Sequence, residues 1–293
     1  MTVTGQTRLA AVVGDPVRHS LSPVMHNAGF AAVGLDWLFV ALPVAAADGA
    51  RAFDAMRVLG FEGLSVTMPH KATAADACDE VRGDAALLHS VNCVSRGDGG
   101  ALVGESTDGE GFLRSLRDGG HDVAGMRALV IGAGGAGRAV ALALARSGAE
   151  VIVAARRAAA AQEVVGIVRG ATEDSGARRG PGPRPFALVE WNELGATAGS
   201  CDLVVNATPI GMAATGSESL PVAASALHAG QVVADLVYQP RQTPLLAAAG
   251  AAGAATVEGI GMLVHQGAIA FERWTGVDAP VDVMRAAALT ALA

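Results

Sequence analysis

Apolar and polar positions along this chain alternate in blocks: short apolar runs, closed by glycine, proline or a polar residue, are followed by longer stretches with helical spacing. Uninterrupted apolar runs of about four to eight residues predict strands buried on both faces, and helical stretches between them predict β-α-β units with parallel sheets. Residues 8–13, 37–42 and 62–66 are expected strands, with helices from Ser22 to about Val33 and over 46–59. Ser22 directly before Pro23 predicts an N-cap followed by a first-turn proline. That leaves Ser20 unexplained, and two hydroxyls so close together at a helix start form a plausible cradle for a carboxylate or polyol. Farther along, SVTMPHK places Thr67 and Lys71 at a strand end. Residues 83–95 predict a short helix and the strand SVNCVS, in which Asn92 is a polar residue that needs partners. GESTDGEG over 104–111 predicts a polar loop or a helix start containing Asp108, and 111–121 a helix.

The stretch Met126 to Arg157 has the most specific pattern. An apolar run over 128–131 passes into glycines 132, 134 and 137, then into an Ala/Leu helix ending near Gly148, and a second apolar run over 151–154 completes the unit. In that context GxGxxG is a dinucleotide fingerprint: Gly132 for the turn, Gly134 for approach of backbone to a pyrophosphate, Gly137 for close packing of helix on strand. A carboxylate after the second strand would accept from the 2′-hydroxyl of NAD. Ala155, Arg156 and Arg157 stand there instead, which predicts NADP(H). A helix is expected over 158–170, a Pro/Gly/Arg-rich surface loop over 171–185, and strands over 186–190, 202–206, 231–237 and 256–258. Asn206, Thr208 and Pro209 stand at the end of the strand 202–206, pointing toward a ligand crevice, and Tyr238 at the end of 231–237. Helices are expected over 243–252, 259–273 and about 281–292, the middle one with Met262, His265 or Gln266, and Ile269 near one face.

Composition narrows the class. The 293 residues are 51% hydrophobic, mostly Ala and Val, with no uninterrupted run long enough to suggest a membrane span and no leader-like start, so a cytoplasmic protein is expected. A net charge of -7 without a basic stripe argues against nucleic acid. Cys78, Cys93 and Cys201 are scattered and odd in number, which argues against a disulfide framework or a metal site. Of 21 basic residues, Lys71 is the single lysine. Arginine does not release its proton at working pH, whereas an ammonium can be tuned to do so, and this draws attention to position 71.

Taken in order, VRHSLSPVMHN, SVTMPHK, SVNCV, GESTDG, GAGGAGR, NATPIGM, DLVYQPRQTPLL and GIGMLVHQ resemble the shikimate dehydrogenase family over nearly the whole chain. The resemblance implies two β-α-β domains with a cleft between them, residues 1–110 plus 246–293 binding substrate and 111–245 forming a Rossmann-type NADP-binding domain. It implies the reversible NADP-linked reduction of 3-dehydroshikimate to shikimate by a monomer or homodimer. It also implies substrate contacts from Ser20, Ser22, Thr67, Asn92, Tyr238 and Gln266, and a catalytic pair, Lys71 and Asp108. Cofactor contacts would fall on Gly132, Ala133, Gly134, Gly135, Ala136, Ala155, Arg156, Arg157, Leu236 and Gly259. Ser65 and Ser106 stand where the family usually has asparagine, which keeps open quinate or an amino analogue as substrate. A non-catalytic NADP-binding regulator is the alternative from another class.

Overall fold

A computed structural model describes residues 2–173, 186–189, 191–213 and 219–293. The strands are β1 (Arg8–Gly14), β2 (Trp37–Pro43), β3 (Gly63–Val66), β4 (Glu80–Val81), β5 (Cys93–Arg96), β6 (Leu102–Glu105), β7 (Arg127–Ile131), β8 (Glu150–Ala154), β9 (Phe186–Leu188), β10 (Leu203–Asn206), β11 (Val232–Asp235) and β12 (Ala255–Val257). The helices are α1 (Ser22–Ala32), α2 (Gly49–Leu59), α3 (Lys71–Ala77), α4 (Asp84–Leu88), α5 (Asp108–Asp118), α6 (Gly135–Arg146), α7 (Ala158–Glu173), α8 (Leu194–Ala198), α9 (Pro244–Ala251), α10 (Gly259–Thr275) and α11 (Val281–Leu292). The chain divides into two units, Met1–Gly111 with Leu263–Ala293, and Phe112–Met262.

The first unit is built on a mixed sheet of order β2-β1-β3-β5-β6-β4. β1 pairs in parallel with both β2 and β3, whereas β3–β5 and β5–β6 are antiparallel. Leu64 and Val66 of β3 join Ala11, Val13, Phe53 and Met56 in one core. Against Gly63 lies Trp274 of α10, whose ring a β-carbon there would meet at 2.5 Å, and the indole N–H of Trp274 donates to Val94 O. His26 is enclosed in an aromatic nest, stacked on Phe39 with ring centroids 4.4 Å apart and flanked by Phe30, Phe271 and Trp274.

In the second unit all strand pairs are parallel, in the order β12-β11-β10-β7-β8-β9. The chain lays β8 and β9 to one side of β7, then returns to lay β10, β11 and β12 on the other. This is the doubly wound order, whose switch point falls between the carboxyl ends of β7 and β10. Its strands are apolar on both faces, which burial between helix layers requires: Leu129, Ile131, Ile152, Val204 and Val233 belong to one core with Leu245 and Leu246 of α9.

Several expectations change. Ser22 is not the N-cap of α1 but its first residue, and the cap position is Leu21. It is the Ser20 hydroxyl that accepts from the Ser22 N–H, at 3.2 Å. Residues 246–262 belong to the second unit rather than the first, because β12 pairs with β11 and draws α9 with it. Of the two expectations for 104–111, a polar loop or a helix start, the second holds from Asp108, where α5 opens, while Gly104 and Glu105 close β6. Of the expected loop 171–185, residues 171–173 are the last of α7, and the remainder lies outside the described residues.

Candidate active site

One edge of the mixed sheet collects most of the polar residues singled out from the sequence. The turn after β1 leads to Ser20 and Ser22, and the turn after β3 leads to Thr67 and Lys71. The two turns are neighbours: Asp15 N–H donates to Met68 O at 2.9 Å, and a β-carbon on Gly14 would overlap the Thr67 methyl. Because β5 runs antiparallel to β3, and β6 antiparallel to β5, the start of β5 and the end of β6 come to that same edge. Asn92 precedes β5, and Thr107 and Asp108 follow β6. The hairpin thereby carries residues from two further segments to the ends of the parallel strands.

Asn92 is the hub of what assembles there. Its buried amide Nδ2 donates to Thr107 Oγ1 and to Asp108 Oδ1, each at 2.8 Å, while its Oδ1 accepts from Thr107 N–H at 2.7 Å. Its backbone is held on both sides, the carbonyl by Val66 N–H and the N–H by Glu105 O. The second Asp108 oxygen accepts from Lys71 Nζ at 2.5 Å, and the two side chains are 18% and 8% exposed. An ammonium has three N–H donors, and Asp108 takes one; the others remain available to an oxygen arriving from solvent. Gln266 joins through its Oε1, 3.4 Å from Asn92 Nδ2, while its own amide donates to Leu263 O. It reaches the hub because α5 and α10 cross closely at Gly111, where a β-carbon would lie 2.7 Å from Gln266 N.

The first unit therefore brings Lys71, Asn92, Asp108 and Gln266 into one network, with Ser20, Ser22 and Thr67 on turns at the same sheet edge. Two residues that escaped the sequence reading are Thr107, which fixes the Asn92 amide, and Gly111. The Ser65 hydroxyl, on β3 two residues before Thr67, is buried without a hydrogen-bond partner among the described residues.

In the second unit Gly132 follows β7 with φ of 117°, and a β-carbon there would lie 2.7 Å from Ala207 O, just beyond β10. A β-carbon on Gly137 would overlap Gly132 O, so the glycine is required for packing. Among the described residues nothing meets Gly134 within 4 Å and no side chain caps α6 behind it, so the helix N-terminus has N–H groups and a positive dipole end of the kind that suit a phosphate. Arg138 braces this turn, donating to Ala133 O at 3.2 Å and gripping Glu163 with two bonds of 2.8 and 2.7 Å. Ala155 is half-buried and Arg156 and Arg157 are exposed beyond β8. Leu236 and Gly259 meet, a β-carbon on Gly259 falling 2.6 Å from Leu236 O, and Tyr238 is half-buried two residues on from Leu236. Burial raises the Tyr238 phenol above its ordinary range.

An α/β unit whose sheet edge carries a half-buried ammonium held by a carboxylate, joined in one chain to a doubly wound unit with a glycine turn before an uncapped helix, has the make-up of a nucleotide-dependent oxidoreductase. The sequence matches the shikimate dehydrogenase substrate binding domain over residues 12–94 and the shikimate 5'-dehydrogenase C-terminal domain over residues 259–289. It is 42% identical to the shikimate dehydrogenase (NADP(+)) of Methanopyrus kandleri over 99% of this chain and 97% of that one. Among solved structures it is similar to shikimate 5-dehydrogenase of Thermus thermophilus in complex with NADP(H) and shikimate (34% identity, TM-score 0.85, 97% of this chain and 100% of that one). A quinate dehydrogenase from Corynebacterium glutamicum in complex with NAD is similar too (32% identity, TM-score 0.86, 97% and 99%). The chain belongs to the shikimate dehydrogenase family. Among the described residues no helix is long and apolar enough to cross a membrane.

Proposed function

We propose that this protein catalyses the reversible NADP-dependent reduction of 3-dehydroshikimate to shikimate, with Lys71 and Asp108 as the catalytic pair. The observation that carries the reading is the Lys71–Asp108 contact, locked from behind by Asn92 and Thr107. NADPH, bound on Gly132–Ala136 with its 2′-phosphate at Arg156 and Arg157, would supply the hydride. Reduction of a ketone leaves charge on the oxygen. An ammonium beside that oxygen stabilises the charge and delivers a proton, and a fixed carboxylate keeps the ammonium oriented for it. Asp108 has one oxygen committed to Asn92 and the other to Lys71, so the pair handles the proton as a unit. Ser20, Ser22, Thr67, Asn92 and Gln266 offer donors and acceptors suited to a ring carrying a carboxylate and several hydroxyls. Gly134, open on its Cα side, and the uncapped start of α6 fit a pyrophosphate.

A second reading, a quinate dehydrogenase using NAD, draws support from the similarity to such an enzyme and from the unpartnered Ser65 hydroxyl, which a differently substituted ring could engage. Arg156 and Arg157 favour NADP over NAD. The decisive experiment compares initial rates with shikimate and with quinate, each with NADP+ and with NAD+, by absorbance of the reduced nicotinamide. Shikimate with NADP+ is expected to give the highest kcat/KM. A higher value with quinate or with NAD+ overturns the assignment, and nucleotide binding without turnover of either acid would make the chain a regulator.

A further inference from the structure

Asp235 has no part in the proposed chemistry, yet the ends of two strands depend on it. It closes β11 with its carboxyl buried. Three neutral groups donate to that carboxyl: the Thr243 hydroxyl at 2.7 Å, Asn206 Nδ2 at 2.9 Å and the Val237 N–H at 3.0 Å. Each partner belongs to a different segment. Val237 lies in the stretch that carries Leu236 and Tyr238, Asn206 closes β10, and Thr243 caps α9 by accepting from Leu246 N–H. Asn206 spreads the constraint farther, donating to Ile210 O at 3.1 Å and accepting from the Thr208 N–H and hydroxyl at 3.0 and 2.6 Å. These segments are the surfaces against which the glycines of the proposed nucleotide site rest: Gly132 against Ala207, Gly259 against Leu236 and Val237.

We infer that Asp235 is the positioning residue of the nucleotide site, fixing through Asn206, Val237 N–H and Thr243 the two strand-end segments on which the Gly132 turn and Gly259 are seated. The inference rests on the NADP reading above. What it requires of position 235 is acceptor geometry. A carboxamide can keep its oxygen towards Asn206 and Val237 and offer its NH2 to the Thr243 oxygen, so Asp235→Asn keeps two of the bonds and reverses the third, whereas Asp235→Ala strands buried donors without an acceptor.

The test measures NADPH affinity by fluorescence titration and shikimate affinity by calorimetry on the full chain. For Asp235→Ala the NADPH Kd is expected to rise about tenfold or more, the scale of stranded buried donors. Shikimate affinity falls by less, since most of its proposed contacts lie in the first unit, and Asp235→Asn stays close to wild type. Should Asp235→Ala not fold, Thr243→Val removes one donor and is expected to raise the NADPH Kd in the same sense by a smaller factor. Unchanged NADPH affinity in the folded variant overturns the inference. So do equal losses for both ligands, which mark general destabilisation, or an Asp235→Asn that fails as badly as Ala. A wild-type chain that binds no NADPH overturns the NADP reading itself, and this inference with it.

Discussion

The two units solve one problem, placing polar groups at the ends of buried strands, in opposite ways. Among the described residues of the second unit the strand pairs are parallel, so the carboxyl ends of strands and the segments after them share one edge, and the Asp235 network found there is closed, each carboxyl bond going to a neutral partner. In the first unit, the antiparallel pair β5–β6 brings a segment that precedes a strand to the same edge as one that follows a strand. Asn92 and Asp108 meet because of it, and the network they form ends in an ammonium with donors to spare. On the proposed reading, the closed network serves as a rigid seat and the open one supplies the reactive group.

The largest expected effect follows from this difference. Lys71→Ala is expected to lower kcat roughly 10²-fold or more, the usual scale for an acid-base group, while NADPH binding on the second unit survives. Steady-state kinetics with a parallel NADPH titration checks both halves. Near wild-type turnover would take Lys71 out of the reaction, and loss of nucleotide binding would break the division of labour between the units.

The same contrast decided what the sequence made legible. Strands of the second unit are largely apolar runs, and its glycines have separate, local reasons that spacing reveals, so the turn at Gly132 and the close packing at Gly137 were readable. Lys71 stood out as the single lysine and Asn92 as a polar residue in an apolar run. The hairpin was not readable: β6 offers only Leu102 and Val103 as an apolar run before Gly104 and Glu105, and β4 is two residues long. Without β6 the helix start at Asp108 could not be told from a loop. Gly111, one of several glycines there, gave no sign that a helix crosses it. Asp235 was invisible for a related reason, since Asn206 is its neighbour only across the β10–β11 pairing and Thr243 only through the fold of the segment that leads into α9.

Stability against pH separates the units again, with opposite signs. His26 is buried among aromatic rings with neither ring nitrogen hydrogen-bonded, and desolvation lowers its pKa from 6.5 to about 3. A depressed folded-state value means that its contribution is fully present above pH 6.5 and is lost as pH falls towards 3, with a slope of up to about 1.4 kcal/mol per pH unit. Burial raises Asp235 from 3.8 to about 6, against the opposing hydrogen bonds from Thr243, Val237 and Asn206. Its contribution is present below pH 3.8 and is lost as pH rises through about 6. Urea unfolding across this range is expected to show a shallower acid slope for His26→Phe and a steeper one for Asp235→Asn. Identical slopes in all three proteins would refute the opposition.

A smaller effect is expected at the crossing of α5 and α10. A β-carbon on Gly111 must displace Gln266 backbone, and such overpacking costs about 1–3 kcal/mol. Because the displaced residue belongs to the Asn92 network, Gly111→Ala is expected to raise the KM for shikimate while leaving the KM for NADP+ unchanged. A fall in thermal stability with no change in the shikimate KM would show that Gln266 is not held there for binding.

The smallest effect tests how the second unit holds charge. Arg156 and Arg157 are exposed, so a phosphate bound by them is bound in high dielectric and screened by salt, unlike the Lys71–Asp108 contact, where the partners are mostly enclosed. Replacing either arginine by alanine is expected to raise the KM for NADP+ by roughly threefold to tenfold at low salt, the range for a charge-assisted hydrogen bond softened by solvent. The penalty should shrink as ionic strength rises, and the KM for NAD+ should not move. A penalty that persists undiminished at high salt would mean that the arginines become enclosed when nucleotide binds, and the contrast between an exposed clamp in one unit and an enclosed pair in the other would then hold only for the unliganded protein.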